Sequence, residues 1–254
     1  MPTQFAVRRV EAVCHVIGAL LLVSGLFHLA VFAVDGGPWE GPVSWRKAVT
    51  FGLSFGLTLI TIAWVSSFLP LGDRARTWIL GVFAGACVTE TALITLQAWR
   101  RVPSHFNMET TFDTAVSRVL AAGGVVLIVT LVLLAIASFR ANPDVAPSMR
   151  LALRAGFVAL MGALLSGAAM IARGVTEVQT GHQEAAYRVA GALKPAHAVT
   201  MHAVLVLPAL AWLLARTARP EAGRVRVVAL ATAAYALAAA VVIGLSVYGF
   251  AADF

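Results

Sequence analysis

Apolar residues in this chain run in long uncharged stretches, and every segment between them is polar. Stretches of about 20 residues, at 1.5 Å per residue, are long enough to cross ~30 Å of hydrocarbon as helices. The pattern predicts helices over residues 10–34, 47–69, 77–100, 115–139, 150–172, 196–216 and 225–250. Most spacers hold turn formers: Asp35-Gly36-Gly37-Pro38, Pro70-Leu71-Gly72-Asp73, Asn142-Pro143-Asp144 and Arg219-Pro220-Glu221. No internal repeat is visible, and an odd number of spans argues against a simple duplicated transporter. The expected fold is all-α, a seven-transmembrane-helix bundle in which residues 1–254 form a single integral membrane domain.

Composition strengthens this picture. Of 254 residues 60% are apolar and 12% charged, whereas soluble domains run at roughly 45–50% and about 25%. A net charge of +7 could point to nucleic acid, but the basic residues stand singly or in pairs at the ends of apolar stretches, at headgroup depth. They read as topology determinants, with the lipid bilayer as partner and no nucleic acid. Seventeen of the nineteen are Arg, with only Lys47 and Lys194, which suggests a GC-rich bacterial genome and hence a bacterial cytoplasmic (inner) membrane. Cys14 and Cys87 lie inside apolar segments, so no disulfide framework or CxxC site is expected. The first stretch follows Arg8 and Arg9 as a signal sequence would. It is too long and has no A-x-A pattern before Asp35, so it is expected to stay as an anchor.

Counting basic residues on alternate sides puts eleven on the face that includes Arg8, Arg9, Arg74 and Arg76, and eight, mixed with seven acids, on the other. The positive-inside rule then places the N-terminus in the cytoplasm and the C-terminus outside. That is opposite to G-protein-coupled receptors and microbial rhodopsins, and neither lysine lies in the hydrophobic core of a span where retinal would need one. Gly52-Leu-Ser-Phe-Gly56 and Gly81-Val-Phe-Ala-Gly85 are small-xxx-small patches expected to let backbones approach closely.

The third span carries Cys87, Glu90, Gln97 and Arg101 at spacings of 3, 7 and 4, a polar stripe on one helical face broken by Ile94 and flanked by Thr91. Glu90 lies near the midplane, where an ionised carboxylate costs at least ~2.5 kcal/mol and must be protonated or paired. Glu90 and Gln97 are therefore candidates for a proton path, against the plainer alternative of a neutral Glu bonded across helices.

The histidines sort by depth. His28 is about six residues from the outer end of span one and His202 about six from the outer start of span six, so both are expected ~9 Å below the outer surface. Equal depth is what two axial ligands of one haem, or two ligands of one metal ion, require. His15 lies ~20 Å from His28 along the helix and shares no site with it. His197 and His202 are five apart, about 140° around a helix, so they do not easily hold one ion together. Pro208 removes the hydrogen bond to Val204.

The segment Trp99-Arg100-Arg101-Val102-Pro103-Ser104-His105-Phe106-Asn107 gathers aromatic, basic and polar groups, with Trp39 and Trp45 in the preceding outer loop. An interfacial aromatic belt explains the tryptophans. A lid in which Arg100 and Arg101 meet an anionic substrate or haem propionates would also employ His105 and Asn107. Here the chain resembles an uncharacterised group of bacterial seven-helix membrane proteins. Members have an R-x-x-S-H-F-N loop, Arg101 to Asn107 here, and an H-x4-H-x5-P helix, His197 to Pro208 here. The likeness covers mainly spans two to four and six. It implies one outer site and no named activity.

Three functions compete. The leading expectation is a membrane redox protein with one b-type haem held by His28 and His202, exchanging electrons with quinone or a membrane redox partner. The second is a metal-dependent intramembrane hydrolase, with zinc or copper on some of His28, His105, His197 and His202. The spacing does not match the seven-helix ceramidase and adiponectin-receptor pattern. The third is a small-solute or proton transporter, or an accessory subunit of a larger membrane complex, in which Glu90 acts and the histidines only pack.

Overall fold

The computed structural model describes residues 8–189, 191 and 193–252. Among these the chain is wholly helical: α1 (Arg9–Asp35), α2 (Trp45–Ser66), α3 (Asp73–Trp99), α4 (Thr111–Ser138), α5 (Pro147–Gln179), α6 (Gln183–Val189), α7 (Lys194–Leu214) and α8 (Glu221–Ala252). All but the short α6 are long and apolar enough to cross a membrane, so this is a multi-pass, seven-helix membrane protein. Of the charges used for orientation, the Arg188 side chain and Asp253 lie outside the described residues.

Several helix ends depart from the expected bounds, two of them for clear local reasons. α3 begins at Asp73, four residues before the apolar run, because Asp-Arg-Ala-Arg is a good helical first turn and Asp73 complements the helix N-terminus. α5 continues to Gln179 and stops at Gly181, whose φ of 83° suits glycine. There the Gly181 N–H donates to the Val178 carbonyl and the His182 N–H to that of Glu177, the two bonds of a Schellman motif.

The described residues fall into two compact units, one running to Ser67 and continuing over Leu71–Leu131, the other made of Phe68–Pro70 and Val132 onward. In the first, α1 packs on α2 and α3, and α2 on α3. The α1–α2 contact is backbone against backbone. A Cβ on Gly52 would lie 2.7 Å from Gly25 Cα, and one on Gly56 2.7 Å from the Gly18 carbonyl oxygen, so only glycine allows this approach. The Gly81–Gly85 patch behaves otherwise: a Cβ at either position meets nothing within 4 Å. Both glycines sit on the exposed face of α3, off the buried row of Leu80, Phe83, Cys87 and Glu90. Among the described residues the expected close approach at that patch is not seen. The first part of α4 joins this unit through Val116 and Leu120 packed on Ile94, with Phe51 and Leu93 around them.

In the second unit, α5 packs on α6, α7 and α8, and α7 on α8. Gly156 of α5 lets the backbone of α7 come close, since a Cβ there would lie 2.8 Å from Val204 Cα. Tyr235 of α8 donates its hydroxyl to the Val199 carbonyl at 2.6 Å.

Candidate functional site

α3 is the spine of the first unit. Its buried face repeats every three or four residues from Arg76 through Leu80, Phe83, Cys87, Glu90 and Ile94 to Gln97, a row with polar groups at both ends and in the middle and apolar residues between them.

At the end near the α2–α3 connection, Arg76 is 1% exposed. It donates to the carbonyl oxygens of Ser66 and Leu71 and pairs with the buried Glu11 of α1 at 3.5 Å. Glu11 also accepts from the Arg8 backbone N–H at 2.9 Å, which fixes its carboxylate at the first turn of α1. Sequence reasoning treated Arg76 as a headgroup arginine and passed over Glu11. The signal was present, because Arg76 continues the three-four spacing of the row.

At the middle, Glu90 is 3% exposed and packs against Gly123 of α4, where a Cβ would overlap its carboxyl group. Its Oε1 is buried with no hydrogen-bond partner among the described residues, as are the hydroxyls of Thr91 and Thr95. Three side-chain oxygens within six residues of one helix thus lack a protein partner in a segment with no bulk water, where such a group costs several kcal/mol, on the order of an unmade hydrogen bond in hydrocarbon.

At the opposite end, where α1 stops and α2 begins, Gln97 donates to Asp113 of α4 at 2.8 Å. Arg100 bonds the same Asp113 oxygen at 2.5 Å and also the Gln97 amide oxygen, and Thr110 donates to Asp113 at 2.6 Å. The Gln97 side chain is therefore spent on anchoring α3 to α4. Arg100 lies with its guanidinium 4.7 Å from the Phe112 ring centroid.

Arg101 departs from the expected stripe. α3 ends at Trp99, and Arg101 takes a left-handed φ of 58°, with its N–H on the Ala98 carbonyl and that of Val102 on the Gln97 carbonyl. This is a Schellman end with arginine where glycine is usual. The turn carries the side chain off the helical face to Asp35 at 2.7 Å and over Trp45 at 5.1 Å, contacts that offset a left-handed cost of roughly 1–2 kcal/mol. Asp35 also accepts from the Trp45 indole N–H at 2.5 Å.

His28 is 3% exposed in the same region. Its Nδ1–H donates to the Ser24 carbonyl at 2.7 Å, and its Nε2 accepts from the Trp99 indole N–H at 3.1 Å. Both ring nitrogens are engaged and the neutral Nδ1–H tautomer is selected. His105 lies in the 100–110 loop with its Nδ1 3.0 Å from the Ser104 hydroxyl; burial, and next the charge of Lys47, push its pKa down from 6.5 to about 3. Asn107, fully buried, holds the loop by donating to the Pro103 carbonyl and accepting from the Glu109 N–H.

The remaining histidines belong to the second unit. His197 Nδ1–H donates to the Ala163 carbonyl at 2.8 Å. His202 is exposed and its Nδ1–H donates to the Ala198 carbonyl at 2.6 Å, the same preceding-turn arrangement as at His28. His182 Nδ1 lies 3.0 Å from the Thr180 hydroxyl. The paired-ligand expectation thus joins histidines from different units. Among the described residues no group of three or more His, Cys, Asp or Glu is placed to hold a metal ion.

No protein-family model, no curated protein and no solved structure matches this chain.

Proposed function

We propose that the protein handles protons in the membrane, as a proton or proton-coupled small-solute transporter or as the proton-conducting subunit of a larger complex, with Glu90 as the exchange site. One contrast carries the reading. Of the three buried acids of the first unit, Glu11 is paired with Arg76 and Asp113 with Arg100, while Glu90 has no ion-pair partner among the described residues and one oxygen without a hydrogen bond. A structural acid is expected to be tied down as the other two are. An acid left with open hydrogen-bonding capacity at mid-span is suited to accept and release a proton. Thr91 and Thr95 on the same helix also carry buried hydroxyls without a hydrogen-bond partner among the described residues, further open polar capacity in this stretch of α3. Gln97 serves this path by fixing α3 against α4. In this reading the chain sits in a bacterial cytoplasmic membrane with the start of α1 on the cytoplasmic side, supported by the basic-residue asymmetry.

Full-length protein in liposomes with an internal pH dye tests this. Under an imposed potential, wild type should carry protons. Glu90→Gln, which keeps shape but cannot titrate, should lose most of the flux while retaining its melting temperature. Equal flux in the variant, or none in wild type, refutes the proposal.

A second reading, a b-type haem serving electron transfer with quinone, draws support from His202, whose Nδ1–H bond to Ala198 orients the ring with Nε2 outward on an exposed face. His28 as placed does not fit an axial ligand, because Trp99 occupies its Nε2, and Arg100 and Arg101 are bound to Asp113 and Asp35. A Soret band in purified protein would favour this reading. Zinc or copper hydrolysis has no comparable support in the arrangement of the histidines.

A further inference from the structure

α3 and the first part of α4 run antiparallel with matching patterns. On α3, Glu90, Ile94 and Gln97 stand at spacings of 4 and 3; on α4, Asp113, Val116, Leu120 and Gly123 stand at 3, 4 and 3, so each set lies on one helix face. The two faces meet in register: Gln97 bonds Asp113 at 2.8 Å, Ile94 packs on Val116 and Leu120, and Glu90 fills the space over Gly123. The seam is therefore a polar layer, an apolar layer and a second polar layer. Ile94, Val116 and Leu120 are 0%, 4% and 2% exposed, and Phe51 of α2 packs with Leu93 against them.

The two polar layers differ in their access to solvent. Arg100, bonded to both Gln97 and Asp113, has a side chain that is 35% exposed, so that layer reaches the protein surface. Glu90 is enclosed, and its Oε1 has no hydrogen-bond partner among the described residues. A carboxyl in hydrocarbon needs a chain of water to gain or lose a proton, because no apolar side chain carries one. The shortest such chain runs toward Gln97, seven residues or about 10.5 Å along α3. Toward Arg76 the same face offers only Leu80, Phe83 and Cys87 over fourteen residues, about 21 Å. One apolar layer stands across the shorter route, and an apolar constriction of this kind blocks passage when dry and permits it when wetted.

We propose that Glu90 exchanges its proton with the Asp113 end of the first unit, and that Ile94, Val116 and Leu120 are the gate on that route. In the packed arrangement the layer is dry and the proton of Glu90 is held. Slight separation of α4 from α3 admits a file of water between Glu90 and the network of Gln97, Asp113 and Arg100. The carboxyl then gives up H+ to the nearest water and becomes a carboxylate, and return of H+ along the same file restores it. This rests on the reading of Glu90 as a proton-exchange site and adds to it the side of access and the residues that control it.

Full-length protein in lipid, moved from H2O to D2O at acidic pH under infrared spectroscopy, tests the gate. The protonated Glu90 carboxyl gives a C=O band that Glu90→Gln removes, and the isotope shift of that band times the exchange of its proton. Val116→Thr and Leu120→Asn, which bring a polar group into the layer at nearly unchanged shape, should speed exchange about tenfold or more. Leu80→Asn, the same change on the longer route, should leave the wild-type rate. Unchanged exchange in both layer variants, or equal acceleration in Leu80→Asn, overturns the gate, as does a wild type with no band lost in Glu90→Gln. Exchange needs no net transport, so the two claims fail separately. Liposome flux that depends on Glu90, beside exchange indifferent to Val116 and Leu120, refutes the gate alone; gated exchange without liposome flux refutes transport alone. If Leu120→Asn fails to fold, Val116→Thr decides.

Discussion

Gly123 of α4 stands so close to Glu90 of α3 that a methyl group on Gly123 would overlap the Glu90 carboxyl. The next residue, Gly124, has nothing within 4 Å of a Cβ position. Two adjacent glycines in one apolar helix therefore have opposite roles: one makes room for an acid and the other faces open space.

This contrast predicts opposite outcomes for the same substitution. Gly123→Ala must push Glu90 aside in a packed interior and should destabilise the protein by about 1–3 kcal/mol. Gly124→Ala should be neutral or stabilising by up to ~1 kcal/mol, from improved helix propensity alone. Thermal unfolding in detergent distinguishes them, and equal melting temperatures for the two variants would show that Glu90 does not occupy the space over Gly123.

The buried pair of Glu11 and Arg76 predicts strong non-additivity. Glu11→Gln takes this counter-charge from the buried Arg76 and should cost about 3–5 kcal/mol, while Arg76→Met leaves Glu11 its 3.4 Å contact with Arg8 and should cost less. The double variant should recover a large part of that loss. A double-mutant cycle on melting or chemical unfolding checks it; purely additive losses would mean that the two groups do not share an ion pair.

His105 predicts an acid-sensitive loop. Its pKa lies at about 3, down from 6.5, through burial and then the charge of Lys47, so the fold holds the neutral ring. Stability from this group is fully present above pH 6.5 and is lost as pH falls from there toward 3. Between pH 7.5 and 4.5 the melting temperature of wild type should fall by a few degrees more than that of His105→Gln. Parallel pH profiles would show that the ring is not held neutral.

Much of the site was within reach of sequence reasoning, and the parts that were not share a cause. The row from Cys87 to Gln97 follows from helical spacing, as does the inward position of Glu90. Arg76 obeys the same spacing, but composition alone does not say how far along its helix a membrane core begins, so a buried ion pair looked like a headgroup contact. Arg101 left the stripe because the chain turned left-handed two residues after its helix ended, and arginine is not a residue whose sequence announces that turn.

What the sequence alone determined is the seven spans. A run of about 20 apolar residues in lipid must satisfy its backbone internally, and helix is the one local way to do so. What tertiary structure decided is which side chains found partners. Gly52 and Gly56 meet α1 while Gly81 and Gly85, at identical spacing, face away. His28 is capped by a tryptophan 71 positions later. Glu11 and Asp113 are paired, and Glu90 has no ion-pair partner among the described residues. Spacing places a group on a helix face, but a hydrogen bond or ion pair between helices depends on the rotation and depth of both. Those are set only when the packed unit forms.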